Sequence, residues 1–338
     1  MKKQNLLKKI LSTRGMGGAL TAFAGLIVIY IAFGIINPTV FSGQNIMNLL
    51  RSMSKYLLIG IGQSYILITG NIDLSIGSVA GMSAMISATL MTRGVHPLLA
   101  ILITFLCCMV IGVLNGLLVG KWKLPPFIAT LGTMFVARGV AYIVNGNRNT
   151  DAITSGIGKE AGETFQNVFY YGKTFGIYNT FWIAMILFLI FFFLLSKTRT
   201  GRHIYAIGSN VDAAKLSGVS VFATTTKAYL VSAFCSFVVG LILCGQAGMG
   251  NMEAGNMYEM YGVAAGVIGG VSPLGGTGIL LGTLAGAAVW QTLENGLNMI
   301  GAQVGIQRLV IGIIVVFAVL LDVVVRSGSY KKKRAAKK

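Results

Sequence analysis

The sequence predicts an all-α polytopic membrane protein of about ten transmembrane helices, with an inverted internal repeat. Composition is the first observation behind this prediction, because 55% of the 338 residues are hydrophobic and 11% are charged, unlike a soluble globular domain. Apolar stretches of about 20 residues, enough to cross a hydrocarbon core of about 30 Å, recur along the chain. The 45 glycines let apolar helices approach closely in lipid, which favours a compact bundle.

The predicted crossings form one membrane domain between two basic ends. They comprise residues 16–36, 55–70, 74–91, 97–119, 126–144, 180–196, 228–247, 259–272, 278–300 and 307–325. The transmembrane domain therefore covers residues 16–325, after a basic N-terminal segment, 1–15, and before a basic tail, 326–338. No small-residue cleavage site follows the first apolar run, so we expect a retained helix there rather than a signal peptide.

The distribution of basic residues predicts the orientation of the domain. Segments 1–15, 120–125, 197–227 and 326–338 hold 19 of the 27 Lys and Arg residues. Cytoplasmic loops carry this excess, so both termini and segment 197–227 should be cytoplasmic. The net charge of +18 lies at helix ends rather than along a polar face, which argues against a nucleic-acid partner. The largest outward loop, 145–179, is nearly balanced, with Arg148, Lys159 and Lys173 against Asp151, Glu160 and Glu163.

Self-comparison at an offset of 180 residues supports the repeat. It aligns GNID (70–73) with GNME (250–253) and Asn115-Gly-Leu with Asn295-Gly-Leu. Between them, GVHPL (94–98) aligns with GVSPL (270–274) after a shift of four residues. The charge count places GNID at the inner end of its helix and GNME at the outer end, so the halves have opposite orientations. Inverted repeats of broken helices are typical of transport proteins.

Catalytic residues are sparse. Cys107, Cys108, Cys235 and Cys244 lie in apolar segments and fit buried small hydrophobic positions. His96 and His203 fall on opposite sides of the membrane by the charge count, so they cannot share a metal ion or a proton relay. A membrane enzyme is therefore the least favoured class.

The stretch TGNIDLSIGS (69–78) predicts a helix break around Asp73. The helix before it, from Tyr56 to Thr69, has 14 residues, about 21 Å, so the break should lie below the inner headgroups. We expect a new helix from Leu74, with Asp73 at its N-cap accepting from the amides of Ser75 or Ile76, and Gly70 reversing the chain. This structural role is favoured over contact with a substrate.

Segment 197–227 is the main cytoplasmic connection. No G-x-x-x-x-G-K-[ST] motif occurs in the chain, so energy from ATP would come from a partner. Ser209 or Asn210 can cap a two-turn helix and Gly218 can end it. The helix would offer its small and aliphatic side chains either to a groove on another protein or to the lipid headgroups.

The phrase GRHIYAIGSNVDAAKLSGVSV (201–221) resembles the coupling segment of permease subunits of ribose-, galactose- and xylose-type monosaccharide ABC importers. The resemblance covers residues 45–325 and includes GNIDLSIGS, PPFIATLGTMFVARG (125–139) and YEMYGVAAGVIGGVSPLGG (258–276). It implies a bacterial plasma-membrane protein that is not itself an enzyme. This protein would be the membrane subunit of an ATP-driven importer for galactose, ribose, xylose or a related sugar.

The resemblance also implies partners and contact residues. Two permease copies would surround the path, with an ATPase of two fused nucleotide-binding domains and an extracytoplasmic sugar-binding protein. This chain would bind no cofactor, and ATP and Mg would belong to the ATPase. The residues expected to face the ATPase are Ala206, Gly208, Asn210, Ala213, Ala214, Leu216 and Gly218.

One departure from the family pattern concerns the outer mouth, where we place Glu253, Glu259 and Tyr261. Members usually carry Glu-Leu-Asp before the paired alanines, whereas this chain has Glu259-Met-Tyr261. The role of that Asp is therefore open here.

Polar residues within the crossings are hypotheses for the path because they are costly in lipid. Arg138 and Glu294 can pair, line the path or bind backbone carbonyls. Asn71, Asn115, Asn295, Thr130 and Thr133 can bond to sugar hydroxyls, or else join helices. The alternative function is an ion-coupled secondary transporter of a small polar solute, in which Asp73 and Glu294 carry protons or Na⁺.

Overall fold

A computed structural model describes residues 16–310 together with residues 312, 313, 316 and 320. The predicted segments 1–15 and 326–338, and most of the predicted crossing 307–325, lie outside the described residues. In chain order the long helices are α1 (Met16–Ile36), α2 (Gly43–Ile68), α3 (Ile76–Thr92), α4 (Pro97–Asn115) and α5 (Pro126–Ile143), followed by α8 (Asn179–Lys197), α11 (Val221–Ala247), α12 (Tyr258–Ile268) and α13 (Leu280–Met299). The described region ends in helical backbone from residue 304.

Short elements connect these helices. They are α6 (Ile153–Ile157), α7 (Lys159–Gln166), α9 (Arg199–Ser209) and α10 (Val211–Leu216), a 3₁₀ turn at Pro38–Phe41, and π-helical turns at Gly116–Lys121 and Asn167–Tyr171. Strands β1 (Lys173–Thr174) and β2 (Ile177–Tyr178) form one antiparallel hairpin. The prediction of an all-α polytopic membrane protein is confirmed.

Five helices of the described region are long and apolar enough to cross a membrane: α1, α4 with its π-helical turn, α5, α8 and α11. Four of the other predicted crossings overlap α2, α3, α12 and α13. These are shorter or more polar because they lie largely in the protein interior, where side chains find protein partners. With 11 residues, α12 is about 16 Å long, so the predicted crossing 259–272 is helical only as far as Ile268.

The structure corrects the length of α2. It has 26 residues, about 39 Å, rather than the predicted 14, so the argument that its shortness draws the break into the membrane was wrong. The first turns of this helix contain polar residues, so the sequence predicted a later start. Ser42 caps it by accepting from the amide of Asn45, and the Arg51 guanidinium lies between the rings of Tyr170 and Tyr178, so these side chains have partners at the end of the bundle.

Helices α2, α3, α11 and α12 form the centre of the bundle. Lys55 Nζ donates to Gln246 Oε1 near one end of the α2–α11 pair, and the Tyr229 hydroxyl donates to the carbonyl of Ile72 near the other, so α2 and α11 are antiparallel. Helix α2 packs on α12 and α13, while α11 packs on α3 and α4. The antiparallel α2–α11 pair agrees with the predicted opposite orientations of the two halves.

The two interruptions of the central helices begin at opposite ends of the antiparallel α2–α11 pair, and the second approaches the first where Gly255 meets Gly77 of α3. The first break, residues 69–75, contacts residues 274–275 through Gly70, and Gly208 of α9 packs on Ile68, immediately before the break. The second break, residues 248–257, bonds to Thr150 and Ile153. The turns GVHPL and GVSPL occupy matching places before α4 and α13, and their glycines, Gly94 and Gly270, have φ values of 82° and 83°. The aligned motifs are therefore structurally equivalent in these two turns.

Basic segments gather at one end of the bundle. Gly120 lies against Phe222, and Gly116 lies against Thr226, so segment 116–123 adjoins the start of α11. Helices α9 and α10 lie at the same end, next to the first break. We call this the basic end. Its composition agrees with the predicted grouping of segments 120–125 and 197–227.

Close packing at Gly240 joins α11 to α3. A Cβ built at Gly240 overlaps the side chain of Ser83 and approaches the carbonyl of Ala80. The Ser83 hydroxyl donates to the carbonyl of Phe237 over 2.8 Å. Small residues allow this backbone approach, which supplies packing and interhelical hydrogen bonds in lipid.

We expect Gly240→Ala to lower the free energy of unfolding by about 1–3 kcal/mol, the usual cost of overpacking. Gly132→Ala is the matched control, because a Cβ there meets no atom within 4 Å and Ala is the better helix former. Thermal unfolding of the full chain in detergent measures the difference. Equal melting temperatures for the two variants would contradict tight packing at Gly240.

Candidate functional site

The carboxylate of Asp73 organises the first break. Its Oδ1 accepts from the amide of Ser75 over 2.9 Å and from the Ser75 hydroxyl over 2.6 Å. Its Oδ2 accepts from the Ser232 hydroxyl of α11 over 2.6 Å. Asp73 is buried, so the carboxylate is held by hydroxyl and amide donors. Each carboxylate oxygen therefore has a hydrogen-bond partner, as buried polar groups generally do.

The predicted bond from the Ser75 amide to Asp73 is confirmed, but the predicted start of the next helix is wrong. Helix α3 begins at Ile76, and Ser75 occupies the N-cap position without a capping bond from its own side chain. Asp73 instead stabilises a turn just before the helix, as short acidic side chains often do. Gly70, with φ of 78°, supplies the expected chain reversal.

Two further residues extend these bonds into a network. Asn115 Nδ2 donates to Ser75 Oγ over 2.9 Å, and the Thr133 hydroxyl donates to Asn115 Oδ1 over 2.6 Å. All the members are buried. The Asp73 network therefore connects the first break to α4, α5 and α11; it comprises Asp73, Ser75, Asn115, Thr133 and Ser232.

The remaining polar candidates also bond within the protein. Asn295 and Asn45 exchange two side-chain hydrogen bonds of 3.0 and 3.1 Å. Asn71 donates to the hydroxyl of Thr69, and Thr130 donates to a carbonyl of its own helix. The Asn45–Asn295 pair is interhelical, as the alternative to sugar contact predicts, whereas the bonds of Asn71 and Thr130 are local.

The first break also touches α9 at the basic end. The amide of Gly276 donates to the carbonyl of Ile68 over 2.9 Å, and a Cβ at Gly208 would overlap that same carbonyl. The Tyr205 hydroxyl donates to the carbonyl of Gly278 over 2.6 Å. Burial raises the pKa of Tyr205 to about 12, so this phenol remains a donor at neutral pH. Helix α9 is thus fastened to the first break.

Helix α10 forms as the sequence predicts. Asn210 accepts from the amide of Ala213 over 2.9 Å as its N-cap, and Gly218, with φ of 80°, follows the helix. Ala214 is buried, whereas Leu216 is 91% exposed. The helix therefore packs one side on the bundle and leaves a leucine outward at the basic end.

The seven residues expected to contact an ATPase consequently differ in their surroundings. Gly208 packs on the first break, Ala214 is buried, and Asn210 caps α10. Ala206 is half-buried, and Ala213 and Gly218 are exposed. Leu216 is the large apolar side chain of the set that faces outward.

Helix α5 holds the second break. Arg138 Nη1 donates to the carbonyls of Met252, over 2.9 Å, and Ala254, over 2.8 Å. One turn further along α5, the Tyr142 hydroxyl donates to Glu253 Oε1 over 2.7 Å. Of the three alternatives for Arg138, binding to backbone carbonyls is the one observed.

The second break does not repeat the capping of the first. The amide of Glu253 donates to Asn251 Oδ1 over 2.8 Å, so Asn251 supplies the side chain that stabilises this turn. The sequence alignment pairs Asp73 with Glu253, but the two acids have different partners, because the exposed Glu253 carboxylate accepts from Tyr142.

Tyr261 belongs to a cluster of aromatic rings between α2, α12 and α13. Its ring centroid lies 5.0 Å from Trp290 and 5.6 Å from Tyr56, and Tyr258 lies 5.5 Å away. Glu294 Oε2 accepts from the Tyr56 hydroxyl over 2.7 Å. Glu294 is thus bonded to an aromatic hydroxyl and Arg138 to carbonyls, each with its own partners.

Glu259 lies against α3 rather than beside Tyr261. A Cβ built at Gly77 would overlap the Glu259 carboxylate, so the glycine makes room for this acid. The outer-mouth candidates therefore separate: Glu253 is exposed and Glu259 half-buried, and Tyr261 packs among rings.

Sequence reasoning missed Ser232 and Tyr56. Both bond to acids far along the chain, with separations of 159 and 238 residues. A serine in an apolar helix or a tyrosine near a helix end carries little signal by itself. Only the pairing of α2 with α11 and α13 could have identified them.

Comparison with known proteins gives a family. The sequence model described as "Branched-chain amino acid transport system / permease component" matches residues 45–319. The ribose import permease protein RbsC of Bacillus subtilis (strain 168) is 39% identical over 309 residues, which cover 91% of this chain and 94% of that protein.

Two proteins of Escherichia coli (strain K12) are also similar. The D-allose transport system permease protein AlsC is 33% identical over 300 residues, 88% of this chain and 89% of its own. The galactose/methyl galactoside import permease protein MglC is 33% identical over 314 residues, 88% and 90% of the two chains. No solved structure gives a significant match.

We expect Asp73→Leu to lower the free energy of unfolding by about 3 kcal/mol or more, because each buried donor left without an acceptor costs about 1–3 kcal/mol. Asp73→Asn should retain most of the stability and transport, since its oxygen still accepts from Ser75 and its amide can donate to Ser232. Denaturant unfolding and uptake assays measure both. Asp151→Asn, at an exposed acid of the outward loop, is the control. Equal, complete loss of transport in both Asp73 variants, with normal insertion, would make the charge itself functional.

We expect Arg138→Met to destabilise the second break by about 1.5–3 kcal/mol, the contribution of hydrogen bonds to a charged group. Phe135→Met is the matched control on the same helix, because that ring is exposed. Limited proteolysis at residues 248–257 reports the opening of the break. Indistinguishable cleavage rates for the two variants would show that the carbonyl bonds do not hold it.

Proposed function

The chain belongs to the family of transport-system permease components that matches residues 45–319, and on that premise we propose that it forms the membrane path of an ABC importer for a monosaccharide. The observation that carries the proposal is similarity over about nine-tenths of the chain to import permeases for ribose, allose and galactose. A permease of this kind is a transport subunit and not itself an ATPase.

The class of sugar follows from the relatives as a group. Their names refer to ribose, which is a pentose, to allose, which is a hexose, and to galactose and methyl galactoside. A small polyhydroxylated ring is the chemistry that these sugars share. The comparisons provide no support for the ion-coupled alternative. The Asp73 network is consistent with this, because its carboxylate is engaged by three hydrogen-bond donors.

We propose that an ATPase partner docks at the basic end, with ATP and Mg bound to the partner. Support comes from Leu216, which is 91% exposed on a helix adjoining α9, while α9 packs on the first break. An apolar side chain on a short capped helix suits a groove on another protein. Movement of the partner against α10 would reach the first break through α9.

The other parts of the assembly belong to the same proposal. A second copy of this permease would complete the path, and a sugar-binding protein would deliver the substrate at the end carrying the second break. The location would be the bacterial plasma membrane with both termini cytoplasmic, because the basic segments gather at one end and the relatives named above are bacterial proteins. The permease domain would extend over residues 16–325.

Within the path, the candidates carry different roles. We propose that Gly70, Asp73, Ser75, Asn115 and Thr133 position the first break. Transient sugar contacts would then fall to polar groups that rearrange when the path opens, since a path that releases its substrate binds weakly. The outer mouth would present Glu253, which is exposed, to the binding protein.

The test is ATP hydrolysis by the reconstituted importer with D-ribose, D-galactose and D-allose as probe sugars. Stimulation should require the permease, the ATPase and the binding protein together. Leu216→Arg should reduce it by about tenfold or more, because a charge enters an apolar contact. Leu216→Met keeps the apolar character and is the matched control. The native Ala214 is a poor choice for this test, because it is buried and its replacement would disturb α10.

Sugar uptake by the permease alone, driven by an ion gradient without ATP, would contradict the importer proposal. Normal stimulation of ATP hydrolysis in Leu216→Arg would not contradict the importer proposal, but it would show that α10 is not the docking helix.

A further inference from the structure

A hairpin before α8 carries a phenylalanine in an unusual conformation. Phe175 and Gly176 form its turn, with φ of 53° and 79°. The left-handed region suits glycine but is uncommon for a bulky side chain. Phe175 is also 92% exposed. Neither backbone preference nor packing within this chain accounts for a phenylalanine at this position.

The tip of the hairpin folds back along α8. Thr174 and Phe175 line a shallow concavity of about 260 Å³ together with Trp182 and Ile186. The Trp182 indole donates to the carbonyl of Thr174 over 3.0 Å, which fixes the ring against the hairpin. Ile186 lies seven residues after the first residue of α8, about 10 Å along the helix axis. The concavity therefore runs past the first two turns of α8 and along the apolar part of this helix.

The concavity continues into the exposed apolar side of α8, a helix able to cross a membrane. At helical spacing, this side presents Ile186, Leu189, Ile190 and Phe193, all exposed. On a spanning helix such a face meets lipid chains. Phe175 thus stands next to a lipid-facing surface.

The stem of the hairpin is fastened to the bundle. The Tyr178 ring lies 4.1 Å from the Arg51 guanidinium of α2, whose other side faces Tyr170 at 4.5 Å. Lys173 Nζ lies 4.7 Å from the Tyr178 ring. The stem is therefore held by cation–π contacts, while the Phe175 ring at the tip stays exposed.

The chemistry around the tip suits phospholipid. Residues 172–186 contain Lys173 as their one charged residue, so no carboxylate repels the headgroup phosphates. Trp and Lys are typical of the interface between headgroups and chains, where each keeps a polar end in water.

We propose that this hairpin is a membrane anchor at the end opposite the basic end, with the Phe175 ring inserted among phospholipid chains and Trp182 and Lys173 at headgroup level. The bilayer is its partner, and the anchor sets the position of α8 and, through Arg51, of the outer end of α2. This inference does not depend on the transported substrate.

The test measures the depth of a nitroxide label in full-length permease in phospholipid nanodiscs. Phe175→Cys is labelled in a Cys107→Ala background, because the other native cysteines are buried. Ile186→Cys provides the lipid reference, and Lys159→Cys, at a side chain 85% exposed in the outward loop, provides the water reference. Oxygen concentrates in lipid chains, whereas a nickel chelate stays in water.

We expect the ratio of oxygen to nickel accessibility at position 175 to be several-fold higher than at 159 and close to that at 186. A ratio matching position 159 would overturn the anchor. A label shielded from both reagents would also overturn it, showing instead that protein covers the tip; comparison with and without the binding protein would distinguish that partner from a second permease copy.

Discussion

Every interruption of a helix inside a membrane must supply partners for the backbone groups it frees, because lipid offers none. The two breaks of this bundle meet that constraint by different means. At the first, the Asp73 carboxylate gathers the Ser75 amide and two hydroxyls. At the second, the Arg138 guanidinium donates to two carbonyls. The first break is thus stabilised by an acceptor side chain, where donors need a partner, and the second by a donor side chain, where carbonyls need one.

One helix takes part in both arrangements. Thr133 of α5 reaches the first break through Asn115, and Arg138 of the same helix holds the second. Five residues separate them, about 7.5 Å along the axis, so both breaks are attached to a single stiff element. The first break is also fastened to α9, which adjoins the exposed helix α10 at the basic end. The contacts thus run without interruption from the candidate docking helix to the second break.

The sequence predicted helix bounds correctly where a long stretch is apolar throughout. It failed where polar side chains form hydrogen bonds or ring contacts with distant residues. The bounds of α1 match the predicted crossing, since its sequence is apolar throughout. The first turns of α2 were missed because Asn45, Asn48 and Arg51 look like loop residues until Asn295 and the rings of Tyr170 and Tyr178 are beside them. The repeat located both breaks, yet it did not indicate that Asn251 stabilises the second turn, because equivalent position does not fix side-chain geometry.

The sequence by itself determined the membrane class, the positions of most helices, the break at GNID and the capped helix after Asn210, because each depends on residues close together in the chain. Tertiary structure alone decided that Ser232 completes the shell of Asp73, that Arg138 binds carbonyls rather than Glu294, and that Gly208 packs inward while Leu216 faces out. Those outcomes depend on which distant helices meet, and a buried polar group takes whichever partner that packing brings within hydrogen-bond distance.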